Sequence, residues 1–291
     1  MKKCAFLTLD ERGDYVIDDE HAVAPLEKLG WQVSTVSWRQ TDMPWSEFDA
    51  VIVRSTWDYW NDVASFLDTL RHIDRVSYLA NPLDIIHWNL EKTYLVDLES
   101  KGVGIVPTIW PDSVRVDSFP AFFAALATDE LVIKPVVGAN GEDAYRISAG
   151  ESSARLQQVC SRFEAKRGMV QKFMPNIQRE GEYSLFYFNG EFSHAILKIP
   201  KGSEFRSQEE HGAEICPVTP ESRLLLRGNQ ALDVLSVQPL YARADFVRDD
   251  RDDFLVMELE LIEPSMYLRT DPGSAARFAR AIDDRYSVSS R

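Results

Sequence analysis

Cysteine is scarce in this chain of 291 residues: Cys4, Cys160 and Cys216 are odd in number and far apart. Such a set offers neither a disulfide frame nor a zinc spacing, and it argues for reduced thiols in the cytoplasm. The five histidines, His21, His72, His87, His194 and His211, show no metal spacing either; only His211, in a polar loop, stands where a ligand contact is worth watching. No apolar run approaches the ~20 residues of a membrane span. The start, MKKCAFLTLD, is cut by Asp10, Glu11 and Arg12, too early for a signal peptide, and reads as a first buried strand. Basic residues are outnumbered, 32 Lys and Arg against 46 Asp and Glu, for a formal net charge of −14. The nearest thing to a basic run, Arg162 to Arg167, is interrupted by Phe163 and Glu164. Nucleic acid and anionic membranes are therefore excluded as partners. There is no GxSxG, no cysteine in a catalytic signature, no Walker A pattern and no complete GxGxxG; the GVG at 102–104 is a helix stop. Internal repeats and low-complexity tracts are absent as well.

What is present is a chain with 45% apolar and 27% charged residues, the ordinary balance of a folded soluble protein, long enough for two or three packed units. Residues 1–90 alternate strand and helix. CAFLTL is followed by helical spacing from Asp19 to Leu29, then by WQVSTVSW and the continuous apolar run FDAVIVRS. A helix from Ala64 to Ile73 and the strand VSYLAN complete the set. This alternation predicts a parallel sheet with functional loops at the strand C-terminal ends. Leu83 to Lys101 reads as one helix, GIVPTIW as extended chain, and Phe119 to Thr128 as a helix. LVIKPVV, the glycine loop GANGED, AYRI, a helix from Glu151 to Phe163 and GMVQKFM then form a β–β–α–β lobe within 91–175. Residues 176–291 turn to longer strands. Asn189-Gly190 marks a hairpin, followed by a polar loop from Lys201 to Gly212 and a helix from Pro220 to Leu235. The strand pair YARADFVRDD and DFLVMELELIEP precedes a last helix from Ser274 to Asp284.

VMELELIEP carries the most chemistry. Alternation puts Met257, Leu259 and Leu261 on one face and Glu258 and Glu260 on the other. Two like charges side by side raise each other's pKa unless a cation sits between them. Asp245, on the partner strand, reaches the same face, and three carboxylates on adjacent strands suit Mg²⁺, which takes carboxylates plus substrate phosphates. A lone Glu-x-Glu is more often a solvated strand face. The apolar LELI setting and the charged partner strand favour the metal.

Four further stretches have a chemical and a plain reading. Lys134 with Gly138, Asn140 and Gly141 places a point charge and close-approaching backbone N–H groups where a phosphate would sit, although glycines also close ordinary hairpins. VQKFM, with Gln171, Lys172 and Met174, reads as a hinge that presents backbone to an adenine edge, or as a plain core strand. KIPKGSEFRSQEEHG, with Lys198 and Arg206, is a mobile cationic loop for phosphates or a solvated charge run. RSTWDYW follows a central strand, where α/β sheets place ligand contacts, so Arg54, Ser55, Asp58 and Tyr59 are candidates for binding a small zwitterion, with Trp57 and Trp60 packing.

Taken in order, Lys92, Lys134 with its glycine loop, VQKFM, GEYS, the KIP…FR…HG loop, RADF and MELE resemble the ATP-grasp superfamily of carboxylate–amine ligases. Within it, RSTWDYW, HWNLEKTYL, GEYSLFYFNGEFSHA and ELELIEP resemble the O-ureido-serine cyclo-ligases of D-cycloserine biosynthesis. The resemblance implies an ATP-grasp fold of the glutathione-synthetase type, mixed α/β and α+β. Residues 1–90 would form a preceding α/β domain with a parallel sheet, 91–175 the small lobe and 176–291 the large lobe. It implies ATP and two Mg²⁺ ions as cofactors. Lys92 and Lys134 would meet the α- and β-phosphates, and Gln171, Lys172 and Met174 the adenine. Asp245, Glu258 and Glu260 would hold the metals, with Glu258 bridging. Lys198, Arg206 and Arg243 would face the γ-phosphate or an acyl phosphate. It implies a small amino-acid-like substrate and a monomer or homodimer. The alternatives are a phosphotransferase and a non-catalytic nucleotide-binding protein of the same fold. Two departures stand out: Glu260 where most members carry Asn, and Gly212-Ala213 where relatives often have Gly-Gly.

Overall fold

The computed structural model describes residues 1–289. Strands β1 (Lys2–Thr8), β2 (Trp31–Ser37), β3 (Ala50–Ser55) and β4 (Tyr78–Ala80) form a parallel sheet in the order β2-β1-β3-β4. Every residue of β3 is buried, as its continuous apolar run demands of a central strand covered on both faces. Alternate residues serve two cores. Phe6 and Ile52 pack with Phe186, Phe188 and Phe278, while Leu7, Val51 and Val53 pack with Phe66 and Leu70. The first sheet is thereby fused to the later part of the chain and is not an appended unit.

Strands β5 (Thr108–Ile109), β6 (Glu130–Pro135), β7 (Tyr145–Ser148) and β8 (Gly168–Lys172) make an antiparallel sheet in the order β5-β8-β6-β7. Its apolar face, with Leu131, Ile133 and Val170, is covered by Phe119, Phe122 and Val159 from the helices Phe119–Leu126 and Ser153–Ser161. Strands β9 (Glu182–Phe188), β10 (Glu191–Ile199), β11 (Glu214–Pro217), β12 (Tyr241–Arg248) and β13 (Phe254–Glu260) form the third sheet, in the order β11-β10-β9-β12-β13. Asn189 and Gly190 turn the β9–β10 hairpin with φ of +49° and +76°, the left-handed pair that this tight turn requires.

Two expectations change here, and both changes shape the cleft. The helix expected from Leu83 to Lys101 is two helices, Leu83–Asn89 and Tyr94–Ser100. β13 is an edge strand, and the break supplies the partners its backbone lacks. Asn89 donates to the Leu259 carbonyl at 2.8 Å and accepts from the Leu261 N–H at 2.8 Å, and the Tyr94 hydroxyl accepts from the Leu259 N–H at 2.9 Å. The second change lies in β13 itself. Asp245 pairs with Glu258 but Phe246 pairs with Val256, so Met257 is an extra residue in a bulge. Phe254 and Val256 therefore share a core with Leu259 and Leu261, whereas Met257 packs beside Val106, Met174 and Ile177. Met257 thus leaves the face expected for it and joins the side that carries the glutamates.

His194, on β10, is buried, stacks on Phe186 at 4.3 Å, and bonds the Ser193 hydroxyl at 2.9 Å and the Met266 carbonyl at 3.0 Å. Burial depresses its pKa to about 4. A folded-state value below the unfolded one means that the unfolded chain takes up the proton first as pH falls. Stability is then intact above pH ~6.5, drops as pH falls toward 4, and is flat below, a loss of about 3 kcal/mol. Thermal melts between pH 7 and 4 should show this slope, and His194→Gln should flatten it; equal slopes in the two proteins would remove His194 as the cause. Among the described residues no helix is long and apolar enough to cross a membrane.

Candidate functional site

The three sheets border one cleft, and its floor is the β12–β13 pair. The register sets Arg243 opposite Glu260 and Asp245 opposite Glu258. Glu258 is met by Lys92 at 2.6 Å and Lys134 at 3.9 Å, and Glu260 by Arg243. Asp245 takes Arg243 at 3.0 Å, Lys198 at 3.4 Å and the Ser184 hydroxyl at 2.5 Å. Lys198 is shared with Glu182 of β9. The three carboxylates expected to gather do lie on one face, but each is held by a cation, and among the described residues no three acidic, His or Cys side chains converge on one point.

Burial raises the Glu258 carboxyl, but Lys92 and Lys134 outweigh it and hold its pKa near about 2. The same balance, struck by Arg243 and Lys198, keeps Asp245 at about 2. Glu260 goes the other way, to about 7, because burial and its neighbours Asp245 and Glu258 exceed what Arg243 returns. Glu263, just past β13, is pushed to about 8 by burial and by Glu260. The floor crowds Glu182, Asp245, Glu258, Glu260 and Glu263 together with Lys92, Lys134, Lys198 and Arg243, and an added cation would favour the charged forms of the two acids that the crowding raises, Glu260 and Glu263.

Lys134 closes β6, and the glycine loop follows it. The Gly138 carbonyl accepts from Lys92 Nζ at 2.8 Å. Asn140 and Gly141 sit at φ +56° and +66°. A Cβ on Gly141 would meet Gln208 Oε1 at 3.0 Å and Arg206 Cδ at 3.1 Å, so both backbone angle and space call for glycine. The loop tip is tied on two sides: Asn140 Nδ2 donates to the Tyr15 hydroxyl at 3.0 Å, and its carbonyl is 3.2 Å from His211 Nε2. Nothing in the sequence singles out Tyr15. Gln171 is buried and donates to Thr108 Oγ1 at 3.1 Å; Lys172 and Met174 line the cleft, where Met174, Val106, Ile177 and Met257 form an apolar wall. Arg206 lines the cleft too, but its guanidinium is forked onto Glu204 at 3.1 and 2.8 Å.

RSTWDYW divides. Arg54 is 1% exposed, paired with Asp19 at 2.9 Å and bonded to the Pro264 carbonyl at 2.8 Å. Ser55 bonds Thr8 at 2.8 Å, and Asp58 accepts from Trp38 at 2.7 Å and Arg39 at 3.0 Å. Arg54, Ser55 and Asp58, expected to meet a substrate, do not line the cleft. β3 is covered on both faces, so its last residues are interior whichever way they point, and Asp58 is drawn back to β2. Tyr59 does line the cleft, and so does Trp57, read in sequence only as packing.

Comparison with known proteins follows the same division of the chain. Residues 112–225 match the ATP-grasp domain of prokaryotic glutathione synthetase, and residues 4–81 match the N-terminal domain of D-cycloserine synthetase DcsG. The cycloserine biosynthesis protein DcsG of Streptomyces lavendulae is 29% identical over 272 residues, 88% of this chain and 90% of that protein. The crystal structure of D-cycloserine synthetase DcsG superposes with a TM-score of 0.87 at 27% identity, covering 98% of this chain and 99% of that one. The chain has the ATP-grasp fold. The ATP-grasp ligase PsnB, solved with its minimal precursor, Mg and ADP, has the same fold, with a TM-score of 0.65 at 11% identity over 98% of both chains. This ATP-grasp protein is accordingly an enzyme of the ATP-dependent, C–N bond-forming ligases, with the fold that the order of its motifs implied.

The residues present fit a nucleotide with its divalent cation. Acids crowd one another on the floor, and an apolar wall of Val106, Met174, Ile177 and Met257 flanks it. Two buried polar atoms that border the cleft, Ser207 Oγ and Gln208 Oε1, have no hydrogen-bond partner among the described residues. Buried groups of this kind are ordinarily satisfied, so they are most simply completed by a polar ligand.

Proposed function

We propose that this enzyme activates the carboxylate of a small amino-acid-like molecule as an acyl phosphate, which an amine of the same molecule then attacks. The observation that carries the reading is the register of β12 on β13, which lines Asp245, Glu258 and Glu260 along one floor opposite Lys92 and Lys134. Lys92 and Lys134 would exchange Glu258 for the α- and β-phosphates, and Gly138, Asn140 and Gly141 would cover them. Gln171, Lys172 and Met174 would border the adenine. Asp245, Glu258 and Glu260 would hold two magnesium ions, with Glu258 shared. When bound, magnesium offsets charge on the phosphate oxygens.

The chemistry then needs positioning more than a nucleophile from the protein. A substrate carboxylate oxygen attacks the γ-phosphorus and ADP leaves; the amine nitrogen attacks the acyl carbon, phosphate leaves and the nitrogen loses a proton. Lys198, Arg206 and Arg243 would face the charge that passes through these steps. The ties from Asn140 to Tyr15 and His211 would keep the glycine loop and the 201–212 loop closed against water, which otherwise hydrolyses the acyl phosphate. In this reading residues 1–90, 91–175 and 176–291 work as substrate domain, small lobe and large lobe. Each chain holds a whole cleft, so a monomer or a homodimer in the cytoplasm would serve. Whole-chain likeness to a D-cycloserine synthetase supports an intramolecular amine.

The test is incubation with ATP, Mg²⁺ and a pool of amino acids and their O-substituted derivatives, with ADP release and product mass as readouts. Substrate-dependent ADP and a product one water lighter than its substrate are expected. A stable phosphorylated product would make the enzyme a phosphotransferase, and nucleotide binding without any turnover a non-catalytic binder; either result overturns the reading.

A further inference from the structure

The 201–212 loop carries Arg206, Ser207 and Gln208 to the cleft. Gly202 and Gly212 bound it at φ +63° and +84°. A Cβ on either would meet no atom of the described residues within 4 Å, so backbone angle and not space calls for glycine there. Two such residues at the ends of one segment are placed to act as its hinges. Between them the segment is held by side-chain catches. Gln178 Nε2 donates to the carbonyls of Ser203 and Glu204 at 3.3 and 3.1 Å. At the far end the turn Glu209–His211 supplies two more: His211 Nε2 lies 3.2 Å from the Asn140 carbonyl, and Glu209 is paired with Arg269.

Arg269 stands on a fixed base, the turn Leu268–Thr270 that follows β13. Four successive carbonyls there are each bonded by a side chain. Ser265 takes Arg243 at 3.2 Å, Met266 the buried His194 at 3.0 Å, Tyr267 the Thr270 hydroxyl at 2.7 Å and Leu268 the Ser274 hydroxyl at 2.8 Å. From this base the guanidinium divides. Nη1 donates to both oxygens of Asp18, at 2.8 and 2.9 Å, and Nη2 reaches Glu209. The two ends differ in how easily they part. The Asp18 side chain is 4% exposed, and a carboxylate so enclosed is costly to leave without its cation. The Glu209 side chain is 31% exposed, and a pair open to water contributes little and parts readily. Arg269 is thus an arm fixed to the segment between β1 and β2, with a releasable catch on the loop.

We propose that Arg269 is a positioning residue that seats the 201–212 loop over the cleft through Glu209, and so sets how much activated substrate is lost to water. The inference rests on the acyl-phosphate reading and deepens it. With the loop seated, the amine is the nucleophile that reaches the acyl carbon. With the loop open, a water oxygen attacks that carbon, phosphate leaves, the water loses a proton, and the substrate acid is returned at the cost of one ATP. Neither Arg269 nor Glu209 lines the cleft, so both act through the loop. The grip on Asp18 registers the loop against the first sheet, just as the bond from Asn140 to Tyr15 registers the glycine loop.

Two variants of the full chain release the catch and spare the buried pair. E209Q leaves Arg269 on Asp18, and R269K keeps a charge for Asp18 but lacks the fork that spans both carboxylates. Amide hydrogen exchange of residues 203–211 should quicken about threefold in each, as loss of a part-exposed ion pair allows, and the double variant should exchange no faster than the singles. With ATP, Mg²⁺ and the amino-acid pool, substrate-dependent ADP in excess of product should rise by about the same factor. Near-UV circular dichroism is the control for folding; should R269K not fold, E209Q carries both expectations alone. Unchanged exchange in a folded E209Q overturns the catch, and the ligase reading still stands if the parent makes product. Faster exchange with the excess of ADP unchanged overturns the control of water loss. Faster exchange in the variants of a protein that releases no ADP on any member of the pool sustains the catch and removes the ligase reading.

Discussion

Glu258→Gln is expected to lower ADP release on the amino-acid pool by at least about 10³-fold while the protein stays folded. Glu258 is the one side chain that the floor and both phosphate-facing lysines share: it stands opposite Asp245, 2.6 Å from Lys92 and 3.9 Å from Lys134. The amide keeps the volume but loses the negative charge that pairs with Lys92 and Lys134, the two cations that hold the carboxyl far below the usual range. Lys92 keeps its bond to the Gly138 carbonyl, so the glycine loop retains an anchor. Loss should therefore show in turnover and in magnesium-dependent nucleotide affinity, in a protein that keeps its near-UV circular dichroism although unpairing Lys92 and Lys134 lowers its melting temperature. Turnover within tenfold of the parent protein would remove Glu258 from the centre of the reaction, and the metal assignment with it.

How far this site could be read in the sequence depends on the range of the forces involved. Alternation in CAFLTL, WQVSTVSW and FDAVIVRS, and the Asn189-Gly190 turn, are local signals, and the strands they predict are found. The pairing of RADF with MELE is also legible, because a hairpin joins neighbours in sequence. The bulge at Met257 is not, since strict alternation has no way to mark an extra residue that only the partner strand reveals. The break between Asn89 and Tyr94 answers to the exposed edge of β13, more than 150 residues away in the chain. Glu260, the departure from the usual Asn, is matched by Arg243 across the strand pair, a compensation visible only once the register is known. Trp57 went unassigned for the same reason: it looks like packing until it is seen to face the cleft.

Arg54→Met is expected to lower stability by about 3–5 kcal/mol, as removal of one partner from a buried ion pair commonly does. For a chain of this size that is a fall of about 10 °C in melting temperature. The guanidinium is 1% exposed and makes three kinds of contact at once: Asp19 at 2.9 Å, the Val53 carbonyl at 3.3 Å and the Pro264 carbonyl at 2.8 Å. It also lies over the rings of Tyr241 and Phe278 at 5.1 and 5.5 Å, so that it joins the first sheet to the third sheet and the last helix. Deletion leaves Asp19 buried without its cation, and the double change Arg54→Met with Asp19→Leu should recover part of the loss, because an apolar pair of similar volume carries no stranded charge. Melting curves of the parent, the two single variants and the double variant settle the matter. A substrate ligand would give the opposite pattern, with melting unchanged and KM raised for the amino-acid substrate alone; that result would return Arg54 to the role its place at the end of a central strand first suggests.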